Sequence, residues 1–322
     1  MYVRGPSTEG AYSVGRDGLV VVDKPGGMTS HDVVGRMRRL ARTRRVGHGG
    51  TLDPMATGVL VVGVERATRL LTYVSGSDKS YTATIRLGQA TITDDAEGDV
   101  MSQVSASGVT DDAVRAALRG FVGEIEQVPS AVSAIKVGGV RSYARVRKGE
   151  QVDLPSRRVT ISRLNVGEVR AGTASGSAMS GTGVDIVDVD IDVACSSGTY
   201  IRAIARDLGT AIGVGGHLIA LRRTAVGAFT LAEAATLEQL QEREDPVTMP
   251  LAEAAARLFA RRDADEKEAT VLSHGGPLTP VGLTGPYAVF APDGRVLAIV
   301  SERDGKARAE VVLAPAGPAE GS

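Results

Sequence analysis

Gly18–Val22 is an unbroken apolar run that stops at Asp23-Lys24-Pro25-Gly26-Gly27, which predicts a buried strand followed by a turn. From Thr29 or Ser30 to about Arg42 the period changes. Val33, Val34, Met37, Leu40 and Ala41 recur at helical spacing, arginines fill the opposite face, and Asp32 suits the first turn. Gly58–Gly63 is a second apolar run, bounded by glycines and again read as a buried strand. Ala67–Val74 reads as helix. In Lys79–Leu87 polar and apolar residues alternate, with Tyr81, Ala83 and Ile85 on the face expected to be buried.

Thr91–Ser107 is polar and acidic, at Asp94, Asp95, Glu97 and Asp99, and reads as an exposed loop. Asp111–Phe121 is an amphipathic helix, Gly123–Val128 a strand and Arg141–Lys148 a short basic helix. Two strands, Arg157–Val169 and Val184–Cys195, flank the Gly/Ser/Ala/Thr stretch Ala171–Gly183, which buries too little to order itself and reads as a flexible hairpin loop. Ser196–Thr199 is expected to cap a helix over Tyr200–Ile212. Gly216–Phe229 is a strand with Arg222-Arg223 inside it, a pairing that requires a cleft or an ion pair for at least one of them. Acidic helical patches run from Thr236 through Leu258 to about Glu268. Short strands with Gly/Pro turns follow, from Ala269 to about Leu313. Residues 1–16 and 314–322 have the composition of disordered ends.

The chain has 322 residues and a formal net charge of −1, so global charge points to no partner. Its distribution does: Arg36, Arg38, Arg39, Arg42, Arg44 and Arg45 crowd into ten residues. Cys195 is the single cysteine, which excludes an internal disulfide and fits a reducing cytoplasm. The four histidines lack metal-ligand spacing, no apolar run reaches membrane length, and no dimerisation patch stands out, so a monomer is expected. The absence of Trp and shortage of Phe argue against an aromatic platform for single strands.

Candidate chemistry concentrates in Arg44–Gly63, RRVGHGGTLDPMATGVLVVG. Gly47, Gly49 and Gly50 permit positive φ and close approach, and Pro54 holds Asp53 in extended backbone. Beside cations and glycine amides, Asp53 suits a nucleophile for an anionic substrate; the plainer reading is an Asp-Pro turn. Arg202 falls in the first turn of its helix, where a cation opposes the macrodipole. It calls for an anion, either an internal carboxylate such as Asp53 or a phosphate, unless it is a solvated surface arginine.

Six segments occur in one order: DKPGGMTSHD (Asp23–Asp32), GHGGTLDPMATGVLVVGVERATRLL (Gly47–Leu71), KSYTA (Lys79–Ala83), SAIKVGGVRSYARVRKGE (Ser133–Glu150), GTYIRAIARDLG (Gly198–Gly209) and LRRTAVGAF (Leu221–Phe229). Together they resemble the TruB-type tRNA pseudouridine synthases. The resemblance implies an α+β fold, with a mixed, mostly antiparallel sheet flanked by helices over 17–258. It also implies a small β-rich, PUA-like RNA-binding module over 269–313. The implied activity is isomerisation of uridine 55 in the tRNA T-arm to pseudouridine, by base flipping and without cofactor or metal. Asp53 would be the catalytic carboxylate, Tyr81 an acid/base and stacking partner, and Arg202 the cation paired with Asp53. Leu221 would pack near the base and His48 would support the flipped conformation. Lys24, Lys136, Arg39, Gly49 and Thr51 would meet the RNA through phosphates and the glycine-rich loop. Three alternatives compete: a non-catalytic RNA-binding or RNA-folding protein on this scaffold, a related synthase acting on another RNA or within a ribonucleoprotein, and a metal-dependent hydrolase using the acids of Asp94–Asp99.

Overall fold

A computed structural model describes residues 17–130, 154–174 and 183–315, and the backbone of Lys136–Val137 and Val140–Arg141. The lead-in at 1–16, the basic helix expected beyond Arg141, the Lys136 side chain and residues 316–322 lie outside the described residues.

β1 (Gly18–Lys24) is apolar on both faces because both are covered. Leu19 and Val21 join one cluster, Val20 and Val22 another. α1 (Ser30–Leu40) begins with a reciprocal capping box between Thr29 and Asp32, turns Val33, Val34 and Met37 inward, and leaves Arg36, Arg38 and Arg39 exposed. β2 (Val46–His48) leads into the Asp53 loop and β3 (Thr57–Val64) leaves it. The next helix is split into a 3₁₀ segment, Glu65–Leu70, and α2 (Leu71–Gly76), rather than running unbroken from Ala67. β4 (Lys79–Leu87) has the expected alternation.

β5 (Gln89–Thr91) and β6 (Val100–Gln103) make a hairpin of the segment expected to be an exposed loop, and the turn between them carries a buried Asp95. α3 (Asp111–Arg119), β7 (Gly123–Gln127), the paired β8 (Lys136–Val137) and β9 (Val140–Arg141), and the long β10 (Arg157–Ala174) follow. β10 continues to Ala174, opposite Val184 of β11 (Val184–Cys195), so 171–174 is strand and not loop. Backbone pairing with an ordered neighbour needs no apolar side chain, which is why composition misreads this stretch. α4 (Ile201–Ile212) starts without a side-chain cap. The Gln127 amide brackets its entry instead, accepting from the Tyr200 N–H at 2.8 Å and donating to the Tyr200 carbonyl at 3.0 Å. β12 (Gly216–Val226), β13 (Phe229–Thr230), α5 (Leu237–Gln241), β14 (Met249–Pro250) and α6 (Leu251–Leu258) complete the larger part.

Among the described residues the main sheet has ten strands in the order β14-β1-β3-β12-β4-β11-β10-β7, with β2 on β3 and β13 on β12. Every pairing is antiparallel except β12 with β3, where Arg222 and Arg223 lie opposite Thr57 and Gly58. This is the mixed, mostly antiparallel sheet expected. α3 and α4 cover one face, with Val114, Leu118, Ile204 and Leu208 against Ile85, Leu87, Val189 and Ile191.

The small C-terminal sheet is β15-β16-β17-β18. It opens with β15 (Ala260–Asp263), earlier than the Ala269 expected, followed by α7 (Glu266–Ser273), β16 (Tyr287–Phe290), β17 (Val296–Arg303) and β18 (Lys306–Val312). The sequence Ala-Arg-Arg-Asp has no apolar pattern because β15 is an edge strand, where charge is tolerated. This sheet shares one core with the larger part: Ala288, Phe290, Val296 and Ile299 join the cluster of Leu19, Val21, Val59 and Val61.

Candidate active site

The Asp53 loop is fixed from outside through its own carbonyls. Arg223 donates to the carbonyls of Gly50 and Thr51, each at 3.1 Å, and to that of Val59 at 2.7 Å. The Ser30 hydroxyl donates to the Leu52 carbonyl at 3.1 Å and accepts from the Leu52 N–H at 2.9 Å. Lys24 donates to the Pro54 carbonyl at 3.2 Å, and to those of Pro25 and Met28 at 2.8 and 2.6 Å. Three separate elements, β1, α1 and β12, therefore hold the backbone on both sides of Asp53. Gly58, at φ 101°, makes the close crossing possible: a Cβ there would sit 2.2 Å from the Arg223 carbonyl oxygen.

Asp53 is about one-third exposed, and its carboxylate faces the buried guanidinium of Arg202. Nε lies 3.1 Å from Oδ2 and Nη2 donates to Oδ1 at 3.3 Å, a two-point contact. The same guanidinium reaches Asp95, with Nη1 3.4 Å from Oδ2, and donates to the Thr93 carbonyl at 2.9 Å. Two carboxylates thus offset the cost of a cation at a helix N-terminus. Of the anions the sequence allowed for Arg202, the structure supplies the internal one.

Tyr81 on β4 stands opposite Arg223 on β12, two residues from the pairing of Ala83 with Leu221. Burial pushes the Tyr81 phenol up, against the pull of the Arg223 guanidinium, so it stays protonated at neutral pH. Asp53, Tyr81, Arg202, Leu221, Arg223, Lys79 and Thr51 line one cavity of about 320 Å³. Lys79 is nearly buried and donates to the carbonyls of Ser75 and Ser77 at 3.0 and 2.6 Å.

Other expected contacts fall elsewhere. Lys24 is 0% exposed and spends its ammonium on three carbonyls, so it restrains the loop rather than meeting a phosphate. Gly49 is buried and its amide donates to the Val61 carbonyl at 2.8 Å, so it offers RNA no free amide. Its missing Cβ makes room for α2, since a Cβ would approach Val74 Cγ1 to 2.6 Å. His48 lies outside the cavity, edge-on to His31 with ring centroids 5.8 Å apart, and burial lowers its pKa, leaving it neutral. Arg39 is exposed on α1. Asp95, 3% exposed, was hidden in a run whose polarity reads as solvent-facing. Arg223, 1% exposed, had a signal: an arginine pair in an apolar strand. Arg222 of that pair takes the ion pair, 2.7 Å from Asp23.

Family models match along the chain: "TruB family pseudouridylate synthase (N terminal domain)" over residues 38–201, "tRNA pseudouridylate synthase B C-terminal domain" over 202–253 and "tRNA Pseudouridine synthase II, C terminal" over 259–314. A tRNA pseudouridine synthase B of Arthrobacter sp. (strain FB24) is 56% identical over 313 residues, spanning 94% of this chain and 99% of the relative. The protein of that name from Streptomyces griseus subsp. griseus is also 56% identical, over 299 residues, with 92% and 97% covered. Among solved structures, a chain of a Cbf5-Nop10-Gar1 complex superposes with a TM-score of 0.67 at 24% identity, covering 92% of this chain and 85% of that one; it shares the fold. On matched models, whole-length identity and architecture, the chain belongs to the TruB family of pseudouridylate synthases.

Proposed function

We propose that the chain converts uridine 55 in the T-arm of tRNA to pseudouridine, with Asp53 as the catalytic carboxylate. Its relatives are named tRNA pseudouridine synthase B, which sets the reaction class. The observation that carries the residue assignment is the two-point Asp53–Arg202 pair opening into a cavity shared with Tyr81 and Leu221.

The reaction breaks the C1′–N1 bond, turns the uracil and joins C5 to C1′. The C5 hydrogen leaves as a proton and N1 gains one, so neither redox nor hydrolysis is needed. A carboxylate divides this exchange into smaller steps, and the two-point contact with Arg202 fixes where its oxygens point. Tyr81 offers a ring against which uracil can stack and a phenol that keeps its proton; Leu221 adds an apolar wall. A stacked uridine must first leave its helix, at a cost of about a few kcal/mol, which contacts to phosphate and pocket offset. The exposed arginines of α1 and of the loop after it provide phosphate contacts near the site. Two of the four acids that the hydrolase alternative would use are engaged, Asp95 with Arg202 and Asp94 with Arg206.

Tritium release from tRNA and from a T-arm stem-loop carrying 5-³H-uridine reads the rearrangement directly. Wild type should release tritium and Asp53→Asn should fall to background. Release by Asp53→Asn would remove Asp53 from its role. RNA binding without release by wild type would favour the non-catalytic reading.

A further inference from the structure

Arg202 has a neighbour that reaches the same hairpin. One turn further along α4, Arg206 places Nη1 3.5 Å from Asp94 Oδ2. Its Nε donates to Asp207 Oδ1 at 2.8 Å, and its Nη2 donates to the Val128 carbonyl at 2.7 Å, just past the end of β7. The consecutive residues Asp94 and Asp95 thus meet consecutive turns of one helix.

In an extended strand, adjacent side chains point to opposite sides. Both carboxylates reach α4 because Asp94 sits at φ 59°, in the left-handed region that residues with a Cβ seldom adopt. Its carbonyl accepts from the Leu218 N–H at 3.0 Å, which fixes that backbone against β12. The Asp94 carboxyl is largely buried, and burial pushes its pKa up. A strained turn presenting a buried carboxylate keeps its shape only while its surroundings hold it there. Neither Arg206 nor Asp94 lines the cavity. Of the partners of Arg202 among the described residues, however, Asp95 and the Thr93 carbonyl both belong to this turn, and Asp53 comes from elsewhere.

We propose that Arg206 and Asp94 form a latch that sets the hairpin turn and thereby the guanidinium that Arg202 presents to Asp53. They are positioning residues, and the proposal rests on the catalytic assignment of Asp53 and Arg202 above.

The test measures single-turnover tritium release and tRNA affinity for full-length Arg206→Gln, Asp94→Asn, the double variant and Arg206→Lys, with Asp53→Asn alongside. Asparagine tolerates the left-handed backbone, so Asp94→Asn removes charge with little added strain. Each of the first two should slow release roughly tenfold with the Kd for tRNA within about twofold, and the double variant should be no slower than the worse single. Arg206→Lys should recover most of the rate. Should Arg206→Gln fail to fold, Asp94→Asn and Arg206→Lys carry the same test. Unchanged release with a lowered melting temperature would overturn the latch, as would multiplicative losses in the double variant or a loss confined to tRNA affinity. An inactive Asp53→Asn beside normal latch variants defeats the latch alone; an active Asp53→Asn defeats the catalytic assignment and the latch with it.

Discussion

Lys24 carries its charge where water does not reach. Burial lowers its pKa from 10.5 to about 8, while three carbonyls take its three N–H groups. A neutral amine has two N–H groups, and the Pro54 carbonyl at stake follows Asp53 directly. Activity should therefore decline above about pH 8. Stability should move the other way. The folded pKa lies below the unfolded one, so between about pH 8 and 10.5 the unfolded chain binds more protons, and the contribution of Lys24 to stability rises with pH across that window. Rate and melting temperature against pH, for wild type and Lys24→Arg, check this: the arginine variant should lose the alkaline decline, and a parallel fall of rate and stability in wild type would refute it. Asp53, Tyr81 and Arg202 were legible as residues because a motif, an alternating strand and a cation at the wrong end of a helix each mark them. The burial of Lys24 and Asp95 was not, because a lysine in a turn cluster and an aspartate in a polar run both read as solvated. The arginine that pairs with Asp95 lies more than 100 residues away in the chain.

The elements around the site were legible where burial leaves a period: β1, β3, β4 and α1 follow their apolar patterns. β15 and the end of β10 did not, since an edge strand and a backbone ladder impose no such pattern on side chains. Gly49 shows the same limit from the opposite side, since a glycine in a loop suggests a free amide and here marks contact with α2. Gly49→Ala would force its Cβ to within 2.6 Å of Val74 Cγ1. The expected cost is about 1–3 kcal/mol, read as a lower urea midpoint. tRNA affinity per folded molecule should hold; weaker affinity at unchanged stability would restore Gly49 as an RNA contact.

Across the whole molecule, the C-terminal sheet and the larger sheet share Phe290, Ile299, Leu19 and Val61 in one cluster. Phe290→Ala should cost about 3–5 kcal/mol and lower the melting temperature, with calorimetry still showing a single transition; two separated transitions would mean that the sheets unfold independently. At the opposite end of the energetic scale, exposed Arg39 should act through phosphate charge. Arg39→Ala should weaken tRNA binding and reduce the slope of log K against log salt by about one; an unchanged slope would take Arg39 off the RNA path. Whole-molecule topology was the least legible level, because the parallel junction of β12 with β3 leaves no local trace. That junction also orders events in time. The carbonyl of Thr51 and the guanidinium that restrains it are 172 residues apart. At about 5–20 residues per second Arg223 emerges roughly 9 to 34 s after the loop it will hold. A growing chain displays Asp53 early, on backbone with no anchor at Gly50 or Thr51. On the proposed assignment of Asp53, a ribosome stalled anywhere in that interval carries the residue without the site, and competence for chemistry arrives only with the last third of the polypeptide.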